Sequence, residues 1–217
     1  MAEKHNLILF SDEIYDKILY DGHTHVPAAT LSDDVFFMTF GGLSKNYRAA
    51  GFRGGWVIPS GAKSKAKSFL EGLTLLASMG LCANVPTQYA IQTALGGHQS
   101  INDLVAEGGR LKKQRDLIHY KLTDIPGVTC VKPKGALYVF PKIDMKKFDI
   151  GGDEQFALDL LAEQKVFIVA GTGFNYPDNQ HFRAVFLPET DTLELATDRI
   201  AEFLNGKRIK SKKLIEA

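Results

Sequence analysis

The chain has 217 residues, 45% hydrophobic and 24% charged, enough for a sizeable core without disulfide or metal staples, which excludes collagenous and wholly disordered readings. Lysine plus arginine (26) and aspartate plus glutamate (25) leave a formal charge of +1, so no global field favours nucleic acid or an anionic membrane. Cys82 and Cys130 form no CxxC and no Cys/His ligand spacing, so the sequence predicts no disulfide framework, no metal site and a reducing, cytoplasmic setting.

The opening Met-Ala-Glu-Lys-His-Asn has no apolar leader core. Leu7-Ile8-Leu9-Phe10 reads as a short strand buried on both faces of an α/β sheet and stopped at Ser11-Asp12. Val35 to Phe40 reads as a second strand ended by Gly41-Gly42, and Gly55 to Ile58 as a third ended by Pro59. Helical spacing follows from Lys63 to about Met79, and again from Thr87 to Leu95 behind Asn84-Val85-Pro86. The most apolar stretch, Leu73 to Val85, is interrupted by Thr74, Ser78 and Asn84 and is too short to span a bilayer.

Ser100 to Asp103 resembles a capping box, and Ile101, Leu104, Val105, Leu111, Ile118 and Leu122 recur at helical spacing behind it, predicting one helix from Ile101 to Leu122. Pro126-Gly127 breaks that pattern and sets a domain boundary near Asp124. A second unit follows, with strands at Val128–Val131, Ala136–Phe140, Val166–Val169 and Phe182–Phe186 and helices at Glu154–Glu163 and Leu193–Leu204, the last behind a capping-box pattern at Asp191 to Glu194. From Gly206 on, Lys207, Arg208, Lys210, Lys212 and Lys213 make a basic tail, expected to be solvated or frayed. No aromatic-rich basic surface accompanies it, so a nucleic-acid-binding module is a poor reading.

The chemistry is concentrated at Gly41-Gly42-Leu43-Ser44-Lys45 and Arg53. A lysine on a glycine-flanked turn between two apolar strands is placed to be partly desolvated, which favours the neutral amine a Schiff-base nucleophile needs. Arg183 sits in the apolar run Phe182-Arg183-Ala184-Val185-Phe186, where a guanidinium is costly unless paired, either with a bound carboxylate or within a structural ion pair. The six histidines have no metal-ligand spacing, and His23 and His25 read as loop residues.

Ser44-Lys45 with Arg53 eight residues on resembles the cofactor-lysine signature of the class I and II aminotransferases, pyridoxal-phosphate enzymes of fold type I. Ser11-Asp12-Glu13-Ile14-Tyr15, Pro133 to Tyr138, Val169 to Phe174 and His181-Phe182-Arg183 resemble further motifs of that family, in its order, so the resemblance covers about Leu7 to Leu204. It implies an α/β chain: the C-terminal part of a doubly wound cofactor domain (1–124), a small α+β C-terminal domain (125–205) and the basic tail (206–217). It also implies roles: Lys45 as the catalytic lysine that holds pyridoxal 5'-phosphate and shuttles the substrate proton, Asp12 at the ring nitrogen, Tyr15 at the phenolate oxygen, Arg53 with Ser44 at the phosphate, and Arg183 at the substrate α-carboxylate. Gly171-Thr172-Gly173 would let backbone approach the substrate.

Two positions depart from the family pattern, Ala170 where proline is usual and Gly42 where many relatives carry serine. The family's long N-terminal half is also not found, so the reading is of a C-terminal portion. The phrases around Lys45 and Arg183 look most like bacterial glutamate–pyruvate (alanine) transaminases. The resemblance therefore implies an amino acid, first alanine, and a 2-oxo acid, 2-oxoglutarate, as substrates, and a homo-oligomer or a complementing N-terminal half as partner. The alternative is an inactive remnant that at most binds pyridoxal phosphate or a partner chain.

Overall fold

The computed structural model describes residues 1–209, and the chain divides into two compact units, Met1–Asp103 and Leu104 onward. This division precedes the boundary expected near Asp124, because the helix that starts at Arg110 packs with the second unit. Both units are α/β.

In the first unit, β1 (Ile8–Asp12), β2 (Phe36–Gly42) and β3 (Gly55–Gly61) form one sheet in the order β1-β2-β3. β1 and β2 run parallel from Ile8 opposite Phe36 to Asp12 opposite Phe40, and β3 returns antiparallel from Gly55 opposite Gly42. The expectation that β1 is buried on both faces is corrected: it is an edge strand, and Leu7 and Phe10 are 51% and 59% exposed. Pro59 does not end β3 either. It sits opposite Met38 in a strand bonded on one side only, where a missing N–H costs no ladder bond.

A 3-10 turn at Lys63–Ala66 leads into α1 (Lys67–Met79), whose Leu70 and Leu73 pack, with Phe40 and Val57, against the buried cluster of Phe36, Met38 and Ala66. The next helix, α2 (Val85–Gly96), begins two residues before the predicted start because Asn84 caps it, its Oδ1 accepting the Thr87 N–H at 3.2 Å with Pro86 in the first turn. The single helix expected from Ile101 to Leu122 is two helices, α3 (Ile101–Val105) and α4 (Arg110–Thr123). Gly108 between them has φ +75°, a conformation that a continuous right-handed helix cannot contain.

The second unit packs α4, α5 (Asp153–Gln164) and α6 (Thr190–Gly206) around short strands. β4 (Val128–Thr129) pairs with β6 (Lys142–Ile143), a strand not anticipated, while β5 (Tyr138–Val139), β8 (Phe182–Val185) and β7 (Val169–Ala170) form an antiparallel sheet in the order β5-β8-β7. Its core centres on Phe156, whose ring lies 5.4 Å from Phe182 and 5.7 Å from Phe203. Leu193, Thr197, Ile200 and Leu204 are the buried stripe of α6 at helical spacing. The capping box expected at Asp191 to Glu194 does not form, because α6 already starts at Thr190, with Glu189 as a cap residue whose side chain makes no capping bond and pairs with Arg110 instead.

The first residues after α6 are not frayed. The Asp149 N–H donates to Lys207 O at 2.7 Å and the Ile209 N–H to Lys147 O at 3.0 Å, and Lys207 Nζ reaches Glu163 at 3.2 Å. Lys210, Lys212 and Lys213 lie outside the described residues.

Candidate active site

Asp12 is the last residue of β1, and the backbone of Glu13 adds one more rung to the sheet, its N–H donating to Phe40 O at 3.0 Å. The chain then turns tightly: the Asp16 N–H bonds Glu13 O and the Ile18 N–H bonds Tyr15 O. Asp12 Oδ1 accepts the Ile14 N–H at 3.2 Å, so one carboxylate oxygen caps this turn. A ring-nitrogen role would fall to the other oxygen of this exposed residue.

Across the sheet, β2 ends at Gly42 and the chain loops out and back. The Leu43 N–H donates to Gly54 O at 3.0 Å, closing the loop at its base, so Ser44 and Arg53 each stand one residue beyond the closing pair. Within the loop, the Arg48 N–H bonds Lys45 O and the Ala49 N–H bonds Leu43 O, both at 3.1 Å, and Arg48 takes φ +55°. This tight turn lifts Lys45 so that its Nζ lies 6.0 Å from the centroid of the Tyr15 ring.

The pairing is enforced one residue further along. Asn46, only 5% exposed, donates Nδ2 to Asp16 Oδ1 at 2.5 Å, so residues 45 and 46 meet residues 15 and 16 side by side. Neither Asn46 nor Asp16 was singled out from the sequence, and no periodicity marks them; two polar residues adjacent to a candidate pair were the only available signal. The Tyr47 hydroxyl is buried beside them and has no hydrogen-bond partner among the described residues.

Arg53 is exposed and left-handed (φ 52°, ψ 40°), and its Nη1 donates to Ala50 O at 2.8 Å. It therefore stands at the loop base rather than in contact with Lys45. The base is held by α2: Thr87 Oγ1 donates to Phe52 O at 2.8 Å, and a Cβ on Gly54 would come within 2.2 Å of Thr87 Cγ2. Only glycine admits that approach.

Arg183 belongs to the second unit, on β8 opposite Val169. Its guanidinium carbon is 4.6 Å from the centroid of the Tyr138 ring and 4.3 Å from that of Phe174. No acidic side chain lies within 4.0 Å of it among the described residues, so the two rings take the place of the structural ion pair considered from sequence. Phe174 comes from the 3-10 turn Gly171–Phe174, and that turn is anchored by Asp153, which is buried and was missed from sequence. Asp153 Oδ2 accepts the Thr172 N–H at 2.8 Å and Oδ1 the Thr172 hydroxyl at 3.0 Å.

The donor set of the first unit suits pyridoxal phosphate: an amine over a phenol ring, a carboxylate at the neighbouring strand end, and a hydroxyl and a guanidinium at one loop base. Comparison with known proteins places these features in context. The family profile described as aminotransferase class I and II matches residues 1–200. The chain is 56% identical over 206 residues to the glutamate-pyruvate aminotransferase AlaA of Escherichia coli K12, covering 95% of this chain and 51% of that protein. To the alanine aminotransferase of Mycobacterium tuberculosis it is 55% identical over 208 residues, covering 96% and 48%. The crystal structure of an aminotransferase from Escherichia coli superposes with a TM-score of 0.92 at 55% identity, covering 96% of this chain and 52% of that one. The chain thus spans about half the length of the curated relatives it matches.

Proposed function

The chain belongs to the class I and II aminotransferases, and from that premise we propose that it serves pyridoxal-phosphate-dependent transamination between alanine and 2-oxoglutarate. The observation that carries the reading is Lys45 Nζ held over the Tyr15 ring beside the strand end that bears Asp12. When bound, pyridoxal phosphate supplies an aldehyde for the amine and a protonated ring that accepts the electron pair left at the substrate α-carbon.

Each side chain then has one task. Lys45 Nζ would hold the cofactor at its aldehyde carbon and, once displaced by the substrate amine, would move the proton to and from the substrate α-carbon. Asp12 holds the proton on the ring nitrogen, and the Tyr15 hydroxyl orients the ring through its phenolate oxygen. Arg53 and Ser44, flanking the closed loop base, bind the phosphate, which suits a cationic fork facing a dianion. Arg183 binds the substrate α-carboxylate with a guanidinium already oriented by two rings.

In this reading the first unit, Met1–Asp103, contributes to the cofactor domain and the second, from Leu104 on, forms the small domain. The activity belongs to the chain together with the remaining length seen in its relatives, either as a complementing N-terminal half or within a homo-oligomer. A cytoplasmic setting suits the two free cysteines. The test is a visible absorbance scan after adding pyridoxal phosphate, followed by borohydride reduction and peptide mapping. The label is expected on Lys45 and absent from Lys45→Ala; a label on another lysine overturns the assignment.

A further inference from the structure

Glu13 follows Asp12 directly and is not among the residues assigned above, yet its side chain is only 10% exposed. Its Oε1 accepts the Ser11 hydroxyl at 3.0 Å, so the side chains on either side of Asp12 are bonded to each other. The same oxygen accepts the Ala28 N–H at 2.9 Å, and Oε2 meets His25 Nε2 at 2.9 Å. His25 and Ala28 belong to the stretch between Tyr20 and Leu31, which has no helix beyond the 3-10 turn Ala28–Thr30. Among the described residues, the other hydrogen bonds of residues 22–31 are local: the His23 N–H to Tyr20 O, Thr30 to Pro27 O, and the Leu31 N–H to Ala28 O. One carboxylate thus makes both of that loop's ties to the strand end.

We propose that Glu13 is a positioning residue of the site: it fixes Asp12 on the strand end and pins the 22–31 loop beside it as a rigid wall. The proposal rests on the transaminase reading, since the pinned strand end is the one assigned to the ring nitrogen. A carboxylate suits the task because a single group accepts from a hydroxyl, a backbone amide and an imidazole at once. Glutamine keeps the acceptor for Ala28 and Ser11 and can donate to a neutral imidazole, whereas alanine keeps none of these bonds.

The test compares Glu13→Ala, Glu13→Gln and His25→Ala with the parent chain by amide hydrogen exchange at Ala28 and by titration with pyridoxal phosphate followed in the visible region. Glu13→Ala is expected to speed exchange across residues 22–31 by about tenfold or more and to weaken pyridoxal phosphate by a similar factor. Glu13→Gln should stay within about threefold of the parent on both readouts, and His25→Ala should fall between. If Glu13→Ala does not fold, the His25→Ala result decides, because it removes one tie and leaves the carboxylate in place. A parent that binds the cofactor alongside a Glu13→Ala that binds it equally, or exchanges at the parent rate, overturns the positioning role. Where the parent chain alone binds no pyridoxal phosphate, the same series is run with the complementing N-terminal half supplied, and a complemented parent that still binds none overturns the transaminase reading itself.

Discussion

Asn46 donates its side-chain amide to Asp16 one residue beyond the point where Lys45 meets Tyr15, so Lys45 is aimed by its neighbour's hydrogen bond. Removing a buried hydrogen bond to a charged group costs about 1.5–3 kcal/mol. Asn46→Ala is therefore expected to lower stability by about that amount in a urea titration, with the slope unchanged. The same substitution should slow attachment of pyridoxal phosphate to Lys45, followed by the growth of the visible band. Unchanged attachment in a folded Asn46→Ala would show that the Lys45 turn holds its shape without this anchor.

Arg183 gives the second prediction. Lysine retains the charge but not the planar fork, and it stacks less well between the rings of Tyr138 and Phe174. In an active assembly, Arg183→Lys should weaken amino-acid substrates by about 1.5–3 kcal/mol in kcat/KM while leaving pyridoxal phosphate affinity unchanged. Asp153→Asn, which loosens the turn bearing Phe174, should move the same constant in the same direction by less. Loss of folding with normal kinetics in the surviving protein would make Arg183 a structural residue.

Much of this was legible in the chain. The glycine-flanked turn at Lys45, the strand ending in Asp12 and the apolar strand around Arg183 lie where hydrophobic runs and glycines put them. What was not legible depends on tertiary pairing. Phe10 reads like a core strand residue, and its exposure follows from β1 having a neighbour on one side only. The apolar spacing around Gly108 continues across the break, so periodicity hid a positive φ. Glu13, Asn46 and Asp153 are polar residues buried because partners distant in sequence satisfy them, and single-chain patterning carries no mark of such partners.

The hold on the 22–31 loop should also respond to acid. Burial pushes the Glu13 carboxyl up, but the bonds from His25, Ala28 and Ser11 outweigh that and hold it below the usual carboxylate range. A carboxylate lowered in the folded state contributes stability that is present above its unfolded value and is lost as pH falls through its folded value. Protection at Ala28, its exchange rate taken against the intrinsic rate at each pH, should therefore hold at neutral pH and fall as the pH drops through and below the ordinary carboxylate range. In Glu13→Gln that loss of protection should disappear, and a Glu13→Gln variant that loses protection over the same range as the parent would show that another group holds the loop.

The last prediction concerns the free edge of β1. Its backbone is bonded only to β2, and Phe10, stacked on Phe40 at 5.8 Å, still leaves 59% of its surface in water. Leu7, at 51% exposure, extends the same apolar strip along the edge. An edge strand with unpaired amides and carbonyls and no lysine or proline in it templates pairing with another strand. The isolated 217-residue chain is therefore expected to self-associate as its concentration rises, seen as a growing average mass in sedimentation equilibrium. Phe10→Lys places a charge on that edge at the cost of one aromatic pair, about 0.5–1.5 kcal/mol, so the variant should stay folded while its mass falls towards the monomer. A parent chain that remains monomeric at every concentration tested would show that the strip is not a contact surface, and a variant that associates as strongly as the parent would move the contact away from β1.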